Sequence, residues 1–336
     1  MISLGVDIAQ NKIDVALYDT EDKQNKMSAT FVNKIDGYIA LFDELHENKI
    51  DIKKLLVYME STGGLEEPFF EFIREKVGEA YILNAKQVKS CKETLGLDQK
   101  TDLIDAKALA MMVVLPSINN CLKANADSLS NELVALISQR NFLIGERTRA
   151  IVRKQRIFRI KKGLAGKFIV KQLQSVIENL DKEIKNIDNE ITNFINTNND
   201  FANNVGLLKL IPGIGEKTAN LLVSYLGAGA ELFNNADKFA AYSGLYPTEN
   251  SSGVFVGKKK LSRKGCRALK KALYLCALSA VRREGKLKNY YQAKVADGKE
   301  KKQVLIAMAN KLAKVSWSVI KHQQKFDETK FLPSFA

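Results

Sequence analysis

Ile2-Ser-Leu-Gly-Val-Asp7-Ile8 runs almost at once into Asn11-Lys-Ile-Asp-Val-Ala-Leu-Tyr18, and the fold turns on how these two stretches are read. Each alternates apolar and small or polar residues with the period of two that marks a strand. The short break between them makes them hairpin partners. Working outward, strands are expected near 2–8, 12–19, 27–33, 54–60 and 79–84, and helices near 35–47, 66–77, 86–94 and 102–114. A hairpin, a third strand and then alternating helices and strands predict an α/β layer with a mixed sheet over residues 1–118.

Four acids stand at structural breakpoints of this region. Asp7 ends the first strand. Glu60 closes Leu55-Leu-Val-Tyr-Met-Glu60 ahead of the breaker Ser61-Thr-Gly-Gly64. Asp102 and Asp105 lie in Lys100-Thr-Asp-Leu-Ile-Asp-Ala-Lys107, where i,i+3 spacing puts both on one helix face. Each has a plainer reading: Asp7 as a turn former, Asp102 as a first-turn acid behind the N-cap Thr101. Glu60 resists one, because a carboxylate closing a buried strand needs a partner. If the first and fourth strands are neighbours, as in a ribonuclease H-like sheet, the acids gather. Gathered carboxylates repel unless cations lie between them, and an all-oxygen cluster suits Mg²⁺ or Mn²⁺ and two-metal phosphodiester chemistry.

The chain of 336 residues has room for two or three domains, and 46% apolar content is ordinary. No run of eighteen apolar residues occurs, so no membrane helix is expected. The start lacks the pattern of a signal peptide, and Cys91, Cys121, Cys266 and Cys276 lack Cys-x-x-Cys spacing; both suggest a cytoplasmic, reduced protein. Two histidines, His46 and His322, expected on helix surfaces, leave little scope for histidine-based catalysis. Net charge is +14. Arg140 to Lys162 holds nine Lys/Arg and the single acid Glu146; Lys258 to Lys271 holds eight and no acid. Such blocks point to phosphate, hence nucleic acid. Arg147, Arg149, Arg153, Lys154 and Arg156 in the first block, and Lys258, Lys259, Lys260, Arg263 and Lys264 in the second, are the candidate contacts.

Beyond Pro116 the pattern changes. A long helix is expected from about Ser130 to Lys162, then a second with apolar residues at Val170, Leu173, Ile177, Leu180, Ile184, Ile187, Ile191 and Phe194. Their three–four spacing predicts a coiled-coil seam across 128–200, as an internal hairpin or a stalk between chains. Residues 205–330 read as mainly α, with helices near 264–283 and 300–322 and Val315 and Trp317 in the core of the last. Leu208-Lys-Leu-Ile-Pro-Gly-Ile-Gly-Glu-Lys-Thr-Ala219 has the turn of a helix-hairpin-helix element, whose amides would approach a DNA phosphate.

In combination, Gly5-Val-Asp7, Met59-Glu-Ser-Thr-Gly63, Lys100-Thr-Asp-Leu-Ile-Asp-Ala106, Ile211-Pro-Gly-Ile-Gly215 and Gly244-Leu-Tyr-Pro247 followed by Ser252-Gly253 resemble the DEDD transposases of bridge-RNA-guided insertion sequences. The resemblance spans nearly the whole chain. It implies a RuvC-like N-terminal domain, metal-binding acids at Asp7, Glu60, Asp102 and Asp105, and a nucleophilic serine at Ser252, with Ser251 one register away. Without the resemblance, Ser252 reads as a loop serine. It further implies donor and target DNA and a structured guide RNA as partners. A homodimer or tetramer in which one subunit's acids meet another's serine, and a nucleoid-associated location in a bacterium, belong to the same expectation. Where relatives often have Asn-Pro, this chain has Asn84-Ala85. Rival readings are a RuvC-like junction resolvase using water, an actin-like sugar kinase or ATPase that would need a second phosphate loop, and a non-catalytic scaffold.

Overall fold

The computed structural model describes residues 1–83, 85–97, 101–115, 128–160, 163–248, 251–252, 255–256, 260–261 and 265–328. The chain divides into two units, Met1–Ala126 and Asp127–Ala336.

In the first unit the strands are β1 (Ile2–Ile8), β2 (Lys12–Asp19), β3 (Gln24–Val32), β4 (Leu56–Glu60) and β5 (Glu79–Leu83). Interspersed are α1 (Ile35–Glu47), between β3 and β4, and α2 (Glu67–Ile73), between β4 and β5; α3 (Ala85–Leu95) and α4 (Asp102–Met111) follow. The sheet order is β3-β2-β1-β4-β5. The three N-terminal strands are antiparallel, and β4 and β5 continue parallel to β1. This is the ribonuclease H-like order expected from the hairpin. β3 starts earlier than its apolar residues suggest, since Gln24 and Asn25 pair with Asp19 and Tyr18 of β2 while exposed, and the register shifts at Lys26.

Alternation along β1 divides its side chains cleanly. Leu4, Val6 and Ile8 join Leu41, Leu45, Phe69 and Ile73 of α1 and α2 in one core. Ser3, Gly5 and Asp7 face α4 instead. Ser3 Oγ donates to the Ala110 carbonyl at 2.7 Å, and a Cβ at Gly5 would stand 2.0 Å from Ala106 O and 2.3 Å from Ala110 N. Backbone therefore rests on backbone. The small residues Ala16, Ala106 and Ala110 complete that contact.

The second unit opens with two 33-residue helices, α5 (Ser128–Ile160) and α6 (Leu164–Asn196), packed on each other as a hairpin. Of the expected seam, Ile177 and Ile191 are buried and the remaining six are half-buried. An internal hairpin thus accounts for part of the apolar stripe. Then come α7 (Asn199–Lys209), α8 (Glu216–Leu226) and α9 (Ala236–Tyr242). Four two-residue strands follow: β6 (Pro247–Thr248), β7 (Ser251–Ser252), β8 (Phe255–Val256) and β9 (Lys260–Leu261). The unit ends with α10 (Arg267–Ala280), α11 (Lys286–Ala296) and α12 (Lys301–His322). α11 has no counterpart among the expected helices, because its polar sequence buries little beyond Leu287. The turn Ile211–Gly215 joins α7 to α8. Its Gly213 lies so close to α10 that a Cβ would be 2.4 Å from Cys276 O, which gives that glycine a packing role. Val315 and Trp317 are half-buried, not core, and Trp317 Nε1 donates to Phe233 O at 3.1 Å. His46 and His322 are exposed on helix ends as expected. No helix among the described residues is long and apolar enough to cross a membrane.

Gly5→Ala tests the backbone contact. Alanine is the better strand residue by roughly 0.5–1 kcal/mol, but overpacking two backbone atoms costs about 3 kcal/mol, so the clash wins. Urea unfolding should show that loss; an unchanged midpoint would mean α4 does not depend on the approach.

Candidate active site

The close approach of α4 to β1 sets the site. Ala110 lies over Ser3 and Ala106 over Gly5, so one further step brings the first turn of α4, with Asp102 and Asp105, to Asp7. Thr101 caps that turn, its Oγ1 accepting from Ile104 N at 3.3 Å. On the other side of β1, Val6 pairs with Met59, so Glu60 ends β4 beside Asp7. All four expected acids therefore share one end and one face of the sheet.

Two residues that the sequence did not single out belong here. Asp14 pairs with Asp7 across the β1–β2 hairpin and is 2% exposed, held by Thr30 Oγ1 at 2.5 Å. Lys12 sets its Nζ 3.0 Å from Asp14 Oδ2 and 2.7 Å from Asp102 Oδ2. A third, Lys92 of α3, ion-pairs with Asp105, although Asp105 Oδ1 gains no aligned hydrogen bond from it. The signal for Asp14 was its position opposite Asp7 in the hairpin; for Lys92, 13 residues before Asp105, there was none. Behind Glu60, the buried Glu66 carboxylate accepts from Ser61 Oγ and from the amides of Thr62 and Gly64 at 2.9–3.1 Å. It thereby shapes the loop that follows Glu60.

The electrostatics are those of crowded acids. Burial first, and then repulsion from Asp105, Asp102, Glu60 and Asp14, pushes Asp7 up to about 6. Burial also raises Glu60, with Lys92 opposing and Asp105 reinforcing. Asp102 is lowered by its hydrogen bond from Lys12. Among the described residues no three His, Cys, Asp or Glu side chains close around a single ion position; ammonium groups stand among the carboxylates. The donor set is nonetheless all carboxylate oxygen, as a hard divalent cation requires, and burial together with the neighbouring acids keeps Asp7 raised despite the lysines.

In the second unit, Ser252 lies in β7, paired with Phe255 of β8. The segment carrying it leaves and returns through one point. Cys266 N donates to Tyr242 O at 2.7 Å, and Gly265, at φ +102°, lies so close that its Cβ would be 2.5 Å from Gly244 N. Lys260 begins β9, while Lys258, Lys259, Arg263, Lys264 and Gly253 lie outside the described residues. The α5 basic block is less bare than its sequence: Arg147 pairs with Asp181 of α6, Arg149 with Glu146, and Lys154 with Gln174. Asp181 is 34 residues from Arg147, beyond any local pattern. Arg153 and Arg156 remain on the exposed face of α5.

Two family models match, the IS110-type DEDD transposase domain over residues 4–160 and the transposase IS116/IS110/IS902 family over 205–292. Together they cover more than two thirds of the chain. The chain belongs to the IS110 family of transposases. Transposases of this family are DNA-cleaving and recombining enzymes, and the acid face lies within the first matched region. Among relatives, the pilin gene-inverting protein of Moraxella lacunata is 28% identical over 97% of both chains. The transposase for insertion sequence element IS1328 of Yersinia enterocolitica is 34% identical over 33% of this chain and 34% of that one. A structure of T. thermophilus RuvC in complex with a Holliday junction substrate overlaps 37% of this chain and 99% of that one, with 12% identity and a TM-score of 0.29. The sheet order, not that overlap, identifies the fold.

A raised carboxylate pKa opposes folding once the group must ionise. Between the ordinary 3.8 and about 6 the folded IS110-type transposase binds the extra proton at Asp7, so stability falls as pH rises through that window. Asp7→Asn removes the charge at nearly constant shape. In chelator at pH 7 it should be more stable than wild type by on the order of 1–2 kcal/mol after solvent screening, and the gap should close near pH 4. Equal stability at pH 7 would contradict the crowding.

Proposed function

We propose that this transposase cuts and rejoins DNA through a covalent link to Ser252, assisted by Mg²⁺ or Mn²⁺ held by Asp7, Glu60, Asp102 and Asp105. The observation that carries the reading is the gathering of those four carboxylates, with Asp14 behind them, on one sheet end where Asp7 is pushed up to about 6. Bound there, a divalent ion would polarise the scissile phosphate and stabilise the leaving oxygen.

The protein's own groups do the rest. The Ser252 hydroxyl gives up its proton and its oxygen bonds to phosphorus, while the bond from phosphorus to one sugar oxygen breaks and that oxygen takes up a proton. The diester energy is retained in the phosphoserine, so attack by a second strand's hydroxyl restores both DNA and serine without an external energy source. Lys260, with Lys258, Lys259, Arg263 and Lys264, supplies positive charge next to Ser252 in sequence. Arg147, Arg149, Arg153, Lys154 and Arg156 carry backbone contacts on the α5 face. Three parts divide the labour: 1–118 as metal-binding domain, 128–200 as helical spacer and 205–330 as serine-bearing domain.

Target choice by a structured guide RNA follows from the same reading. The charge blocks bind phosphate, and no base-reading zinc finger or helix-turn-helix pattern occurs in the sequence. The half-buried stripe of α6 suits assembly of protomers as a dimer or tetramer. A cytoplasmic enzyme working on the nucleoid is the setting these parts fit.

Ser252→Ala should abolish a denaturation-resistant protein–DNA adduct in a gel assay, and Asp102→Ala should lower strand cleavage by about a thousandfold or more. Cleavage that persists in Ser252→Ala, with Asp102→Ala still inactive, would instead identify a nuclease of the resolvase type using water.

A further inference from the structure

A cleft of about 860 Å³ opens at the base of the α5–α6 hairpin, between α5, α6, α8 and α10 of the second unit. Four cations line it: Arg140, Lys217, Arg267 and Lys271. Asp188 engages two of them, through Arg140 Nε and through Lys217 Nζ at 3.2 Å. Arg267 and Lys271, on the first turns of α10, are exposed and have no carboxylate partner among the described residues. Glu216 is the other acid at the rim. Apolar walls come from Ile144, Leu221 and Leu275, the last 51% exposed.

Two features of the cleft are left without an internal use. Asn220 lines it from α8, is 8% exposed, and has a buried Oδ1 with no hydrogen-bond donor. Leaving such an acceptor unsatisfied is costly, and native proteins rarely do so without a use. Gly145, in the middle of α5, lines the same cleft, and a Cβ there would meet nothing within 4 Å. Glycine is the poorest helix former after proline, so a helix-interior glycine beside empty space keeps that space open for an approaching group.

We propose that this cleft receives an unpaired nucleotide of a single strand, its base between the apolar walls, its edge at the Asn220 amide and its phosphates at Arg267 and Lys271. The Watson–Crick edge of every nucleobase offers a donor beside an acceptor, which is the complement of a side-chain amide. A turn about χ2 presents Oδ1 to the base donor and Nδ2 to its acceptor. The recognition is accordingly tolerant of sequence, as for other sites that stack a base on an apolar wall above a basic groove. The inference rests on the chain handling nucleic acid, but it is independent of Ser252 and of any metal.

The test is binding by the full-length protein in chelator, read as fluorescence anisotropy. The probes are a fluorescein-labelled oligothymidylate of about twenty nucleotides, an abasic strand of the same length, and a duplex. Wild type should prefer the base-bearing strand to the abasic one by about fivefold or more, the lower end of a stacked base's contribution. Gly145→Leu, which fills the cleft while strengthening the helix, and Asn220→Leu should each erase that preference and leave abasic binding unchanged. Arg267→Gln with Lys271→Gln should weaken both strands. Gly145→Leu should melt no lower than wild type, so its loss is not misfolding. The proposal is overturned if both cleft variants bind oligothymidylate as wild type does, if abasic strand or duplex binds equally well, or if Gly145→Leu changes only protomer association in sedimentation, which would assign the cleft to a second copy. Failure of Ser252 to form an adduct would leave these readings untouched.

Discussion

Backbone lying against backbone is the constraint from which the N-terminal unit follows. α4 can sit on β1 only because residue 5 has no side chain and residues 106 and 110 carry only methyl groups. A helix held at ordinary side-chain distance would carry Asp102 and Asp105 several ångströms above the sheet, out of reach of Asp7 and Glu60. Packing economy and chemistry are thus one arrangement: the smallest residues sit beneath the helix so that the acids at its first turn stand close to the strand ends. The hydrogen bond from buried Ser3 to Ala110 locks the far end of the same contact.

Charge balance is handled differently in the two units. In the first, Lys12 and Lys92 stand among carboxylates that would otherwise repel, which lets the acid face form as part of folding. In the second, α6 lends Asp181 and Asp188 to a basic α5, while Arg153 and Arg156 stay exposed with no carboxylate partner among the described residues. Burial and hydrogen bonding from Arg140 and Lys217 act in opposition on Asp188, and the bonds prevail, holding it below the usual carboxylate range. That carboxylate is a joint between three helices.

How far the sequence could be read follows from the range of the interactions. The β1–β2 hairpin, α1 and the N-cap at Thr101 are written in neighbouring residues, and the periodicity reports them directly. The gathering of Asp7, Glu60, Asp102 and Asp105 needed the sheet order as well, which the hairpin followed by alternating elements supplied. What stayed hidden rests on distant pairings: Lys92 with Asp105, Arg147 with Asp181, and the Asn204 side chain satisfied by the carbonyls of Gly227 and Ala228. α11 was invisible for the opposite reason, since a helix that buries almost nothing leaves no apolar period. The coiled-coil spacing was real as a pattern yet ambiguous in meaning, because an internal partner and an external one ask for the same residues.

The pinched neck at Gly244 and Gly265 has an evolutionary side. The Cys266–Tyr242 bond and the Gly244–Gly265 contact bring the two ends of the segment bearing Ser252 together between α9 and α10. Doubling the length of such a loop raises its closure entropy by only about 0.6 kcal/mol, a small sum against a whole helical scaffold. For the scaffold, a longer or shorter connection there is therefore cheap, and descendants of one ancestor can vary its length while inheriting the same frame.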